Sequence, residues 1–162
     1  LRLIVVAAIF SGVVMQPVKS EATDDQWLGK TSRYEGLPLA LRVRPYVVTL
    51  ENQRNFPQLA AITLQLSRVR ADGMPESDYN DTLAALDAEL IELFESNKVG
   101  LTVLVETFNG RRVFYSFTQA TAPVQALVAD FQKRNTGHAI SVQVRSDPNW
   151  GFITNYRKQF PW

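Results

Sequence analysis

Between Leu59 and Ser67 the chain alternates, with Ile62, Leu64 and Leu66 set against Thr63, Gln65 and Ser67. A period of two places one set of side chains on each face of a strand, so this pattern predicts a strand with one face buried. Leu39 to Arg44 repeats it, with Leu39, Leu41 and Val43 against Ala40, Arg42 and Arg44. His138 to Arg145 does so again, with Ile140, Val142 and Val144 against Ser141, Gln143 and Arg145. Gln26 to Tyr34 predicts a further strand, turned back at Glu35-Gly36. The period changes from about Ser77 to Ser96, where Tyr79, Leu83, Leu86, Leu90, Leu93 and Phe94 form the stripe of an amphipathic helix. Glu76 and Asp78 stand at its positive N-terminal end. A second helix is predicted from Ala122 to Arg134, with Thr121 as N-cap, Val124, Leu127, Val128 and Phe131 as its stripe, and Gly137 closing it. Asp147-Pro148 opens a terminal helix docked by Ile153, Tyr156 and Phe160. The connection from Pro45 to Pro57 has no firm period, and Val47, Val48 and Leu50 fit a short strand there.

Two turn geometries compete at Asn109-Gly110. A two-residue loop pairs Val105 with Phe114 and Glu106 with Val113, setting apolar positions opposite mixed ones. A three-residue loop from Phe108 to Gly110, with a bulge at the glycine, pairs Val105 with Val113, Val103 with Tyr115, Leu101 with Phe117 and Glu106 with Arg112. The second makes one face uniformly apolar and is the expected register.

From Leu59 onward the order is strand, helix, strand, strand, helix, strand. The expected fold class is therefore α+β: a ferredoxin-like split β-α-β core with an antiparallel sheet, an N-terminal β-hairpin extension and a C-terminal helix. Both core helices are expected on one sheet face.

The first residues differ from the rest. Arg2 precedes an apolar run from Leu3 to Met15, followed by polar residues and by small residues at Val18 and Ser20. That order reads as a signal peptide, residues 1–20, cleaved after Ser20 or, with Ser20 and Ala22 as the small residues, after Ala22; Ser20 is the favoured position, ahead of one domain over residues 21–162. The run is shorter than the roughly 20 apolar residues a membrane span needs, so no stable membrane anchor is expected after cleavage. A periplasmic or secreted location follows. The whole chain carries 17 basic and 16 acidic residues, and losing Arg2 and Lys19 leaves 15 against 16, a net charge near −1. Without a basic excess, no nucleic-acid partner is expected. The absence of cysteine excludes disulfides, thiolate nucleophiles and zinc-thiolate sites.

No nucleophile elbow, phosphate loop, dinucleotide glycine pattern or zinc-protease motif occurs, and His138 is the one histidine. No catalytic residue, metal ligand or cofactor is expected. Asp147 reads as a helix cap and the acids between Glu76 and Glu95 as a solvated helix face. The sharper feature is the sheet face predicted to turn away from the helices. It carries Arg42, Arg44, Arg112 and Arg145 with Phe114 and Gln143, together with Thr63, Gln65, Leu104, Glu106 and Ser116. Arginines around an exposed aromatic bind carboxylates, phosphates or a protein surface by forked hydrogen bonds and stacking. Trp27, Trp150 and Trp162 read as packing anchors.

Taken together, Trp27, the Glu35-Gly36-x-Pro38 turn followed by Arg42, the long acidic helix, Asn109-Gly110-Arg111-Arg112 with Phe114-Tyr115, and Asp147-Pro148-x-Trp150 resemble the bacterial DUF695 family, a domain of unknown function, from Gln26 to Trp162. Some relatives carry this domain beside one resembling the B-type inhibitor of ribonuclease E, which implies regulation by protein binding; no such second domain is expected here. The resemblance brings no catalytic residues. The expected function is a non-enzymatic envelope binding or regulatory domain whose partner is a protein or an anionic small molecule. A hydrolase of unfamiliar type using His138 or Asp147, and a structural envelope protein without a dedicated ligand, are the alternatives.

Overall fold

The computed structural model describes residues 26–162; the expected signal peptide and the segment up to Asp25 lie outside the described residues. The chain runs through β1 (Leu28–Tyr34), β2 (Leu37–Val43), α1 (Leu50–Asn55), β3 (Gln58–Gln65), α2 (Ser77–Thr82), α3 (Ala84–Ser96), β4 (Gly100–Phe108), β5 (Arg111–Thr118), α4 (Val124–Arg134), β6 (Ala139–Ser146) and α5 (Gly151–Gln159). The sheet has six strands in the order β1-β2-β4-β5-β3-β6, every pair antiparallel. The run β4-β5-β3-β6 is the ferredoxin-like split β-α-β arrangement, and the β1–β2 hairpin extends it beyond β4.

Local chemistry accounts for most boundaries. The Thr49 hydroxyl accepts the Asn52 N–H at 3.2 Å and starts α1. The segment expected to hold another strand is thus a 3-10 turn at Pro45–Val47 followed by that short helix. The helix expected from Ser77 to Ser96 is interrupted at Leu83, giving α2 and α3, and its whole predicted stripe is buried. α4 begins at Val124 with Pro123 at its N-cap, and Thr121 does not cap it. The terminal helix starts later than Asp147-Pro148 predicts, with Trp150 at the N-cap of α5 and Pro148 in the turn before it. Asp147 still binds its first turn: Oδ1 accepts the Gly151 N–H at 2.7 Å and Oδ2 the Phe152 N–H at 3.0 Å.

Helices cover both faces of the sheet, and two cores result. On one face Ile62, Leu64, Val105 and Phe114 pack beneath Leu86, Leu90, Phe94, Val128 and Phe131 of α3 and α4. On the other, Leu39, Leu41, Val43, Leu104 and Phe117 pack against Trp150, Ile153, Tyr156 and Phe160 at and along α5. Trp150 is fully buried, stacks on Phe117 with ring centroids 3.9 Å apart, and donates its indole N–H to the Phe56 carbonyl at 2.9 Å.

This two-sided burial corrects the expected hairpin register. The β4–β5 connection is the two-residue turn: Phe108 faces Arg111, Val105 faces Phe114 and Glu106 faces Val113. Asn109 and Gly110 have φ of 44° and 79°, the positive pair that a type I′ turn requires. A bulge between Thr102 and Leu104 then resets the strands, so Leu101 meets Phe117 as expected. The three-residue register suits a sheet with only one dry face. With α5 on the second face, Leu104 and Phe117 are buried there while Val105 and Phe114 are buried beneath α3, so apolar positions on both sides are stabilising.

Candidate functional site

The arginine-bearing face expected from the sequence does not exist as one surface. Arg42, Arg44, Arg112 and Phe114 project to the face beneath α2 and α3, whereas Gln143 and Arg145 project to the face that α5 partly covers. Phe114 is fully buried in the first core and is not an exposed stacking platform. The fold joins two of the arginines, Arg42 and Arg112, and it joins them around an acid that the sequence placed on a solvated helix face.

That acid is Asp87, in the first turn of α3 and 6% exposed. Its Oδ2 accepts from Arg112 Nη1 at 2.6 Å and from Arg42 Nη2 at 2.9 Å. Arg112, also 6% exposed, is held at every nitrogen: Nε donates to Thr107 Oγ1 at 3.0 Å and Nη2 to Asn80 Oδ1 at 2.6 Å. One side chain of β5 therefore ties β4, α2 and α3 together across the interruption at Leu83. Arg42 differs, being 43% exposed at its side chain and bonded, among the described residues, through Nη2 alone. Arg44 anchors the same helix further along, with an ion pair to Glu95, a bond to the Thr102 carbonyl at 3.2 Å and its guanidinium 5.5 Å from the Trp27 ring centre.

Around this cluster lies a cleft of about 380 Å³, bordered by Arg42, Asp87 and Arg112 and by Arg70, Met74 and Pro75 of the β3–α2 loop. That size is at the lower end of the range for small-molecule pockets. A tight loop builds its rim. Arg70 N–H donates to the Met74 carbonyl at 2.8 Å, Val69 bridges Pro75, and Gly73, with φ of 78°, accepts the Gly110 N–H at 2.7 Å. An alanine Cβ at Gly73 would stand 2.7 Å from Asn109 Cα, so the loop and the β4–β5 turn need a glycine at their contact. Arg70 is paired with Asp72 at 2.8 Å; that bond, with the Met74 N–H, holds the Asp72 carboxyl below its usual range. Three guanidinium groups thus border the cleft; that of Arg70 is already paired with Asp72, and those of Arg42 and Arg112 face one buried carboxylate.

Gln143 and Arg145 border a separate groove of about 590 Å³ on the opposite face, with Arg111, Glu106, Tyr115 and Phe152. Arg145 stacks 5.6 Å from the Phe152 ring centre. The Tyr156 hydroxyl donates to Glu106. Burial, reinforced by the Glu106 charge, raises the Tyr115 phenol far above its ordinary value. His138 lies between α4 and β6, and Asp147 is committed to the start of α5. Among the described residues, no group of three or more His, Cys, Asp and Glu is placed to hold a metal ion, and no helix is long and apolar enough to cross a membrane.

A stripe made of apolar residues alone passes over Asp87. Asp87 stands four residues after Leu83 and three before Leu90, on the buried stripe itself, and that spacing is the available signal.

Residues 25–156 match the model of a family described as a family of unknown function, DUF695. No curated protein and no solved structure matches the chain.

Proposed function

The chain belongs to the DUF695 family of unknown function, and with that as the starting point we propose that it is an exported, non-enzymatic binding domain whose ligand is a small anion held in the Arg42–Asp87–Arg112 cleft. The observation that carries this reading is the charge balance at Asp87. Two guanidinium groups converge on one buried carboxylate oxygen, so the cluster keeps an uncompensated positive charge beside a cleft of ligand size. Arg112 is fixed by its own hydrogen bonds and supplies an oriented charge without further ordering. Arg42 has an exposed side chain and N–H groups to spare, which suits a carboxylate or phosphate. Residues 1–20 support export, from their sequence alone.

The test is titration of residues 21–162 with citrate and with glycerol 3-phosphate, followed by two-dimensional NMR at low and at high salt. Shifts are expected to centre on Arg42, Thr107 and the Arg70–Pro75 loop and to weaken with salt. Arg42→Ala should weaken binding at least about tenfold, the range for loss of a charge-assisted bond. Arg145→Glu, on the opposite face, should leave it unchanged. Loss of binding in Arg145→Glu but not in Arg42→Ala would move the site to the Tyr115–Phe152 groove and overturn the assignment.

A further inference from the structure

Resting on that reading of the cleft, we propose that its ligand carries, beside the anionic group, a hydroxyl or amine hydrogen that is donated to Asp87. Both arginine bonds land on Oδ2 of this residue, at 2.6 and 2.9 Å. Its other oxygen, Oδ1, is buried and has no hydrogen-bond partner. A buried carboxylate oxygen without a donor is costly, and such atoms in folded proteins nearly always find one. Asp87 borders the cleft, but Oδ1 itself has almost no open surface, so a donor reaches it from the cleft as the half-exposed Arg42 side chain shifts.

A plain carboxylate or phosphate is the wrong occupant for this corner. Fully ionised, it has no hydrogen to give, so Oδ1 stays unpaired and two negative charges are set side by side. The arrangement divides the labour instead. The oxyanion belongs on the rim with Arg42, whose side chain is 43% exposed. The donor belongs inside, against Asp87. Hydroxy acids, amino acids and phosphorylated polyols have this chemistry; simple acids and alkyl phosphates do not.

Matched pairs of probes separate the two proposals. Citrate is compared with tricarballylate, which keeps the three carboxylates and lacks the hydroxyl, and glycerol 3-phosphate with n-propyl phosphate. NMR titration of the same protein gives each dissociation constant. In whichever pair binds, the hydroxyl-bearing member is expected to bind about tenfold or more tightly, and to shift the Asp87 side-chain and backbone signals. Equal binding within a pair overturns this inference and leaves anion binding standing. No binding by any of the four overturns both. Arg42→Ala weakens both members of a pair alike, so it reports on the anion and not on the hydroxyl.

Discussion

At the scale of single residues, the cost of the site is concentrated in Asp87. Its carboxylate is the partner of a guanidinium that is itself out of water. Removing one member of a buried pair leaves the other charge desolvated, which is far more damaging than removing both. Asp87→Ala should therefore lower unfolding free energy by about 3–5 kcal/mol in urea titrations, whereas Asp87→Leu combined with Arg112→Met should recover most of that loss. A single substitution costing under about 1 kcal/mol would mean that Arg112 finds water and that the pair is not sealed. Arg42 belongs to the same cluster but is half exposed, and its loss should change binding more than stability.

At the scale of elements, α5 governs the second face. It is tied at its start by Asp147 and the buried Trp150, and along its length by the Tyr156 hydroxyl on Glu106 of β4. Burial first, then the Glu106 hydrogen bond and charge, hold the Tyr156 phenol protonated well above its ordinary value of 10.0. A group whose folded pKa is raised contributes stability that is fully present below the unfolded value and is lost as pH rises beyond it. From about pH 10 upward, the unfolded phenol ionises while the folded one does not. Each such tyrosine then removes about 1.4 kcal/mol per pH unit, and Tyr115 acts in the same direction. Urea unfolding between pH 8 and 11 should show this decline, and Tyr156→Phe should make it shallower. An unchanged slope in the variant would remove Tyr156 as its source.

At the scale of the whole molecule, a nearly neutral chain carries a local positive cleft. The expected mature charge is near −1, while the cleft joins three arginines from β2, the β3–α2 loop and β5. Its selectivity thus comes from placement and not from net charge. Export is the premise that sets which anions it meets. In a bacterial host, the chain recovered from the periplasmic or culture fraction should have the intact mass of a protein beginning at Glu21. A full-length chain retained in the cytoplasm would overturn that premise.

The sequence by itself determined what depends on near neighbours. Alternation located β2, β3 and β6, the 3.6-residue stripe located α3 and α4, and Asp147-Pro148 announced α5, because periodicity and capping act over a few residues. The strand and helix order was enough for the split β-α-β topology, since right-handed, short connections leave few alternatives. The tertiary structure alone decided which face each strand shows to which helix. Alternation states that two sides differ; it does not state that α5, far along the chain, dries the second one. That docking selected the two-residue turn and the bulge in β4, and so separated Arg112 from Arg145. The site followed from the same step. Arg42, Asp87 and Arg112 are 45 and 25 residues apart in the chain, and no local pattern encodes a pairing whose energy depends on being brought together out of water.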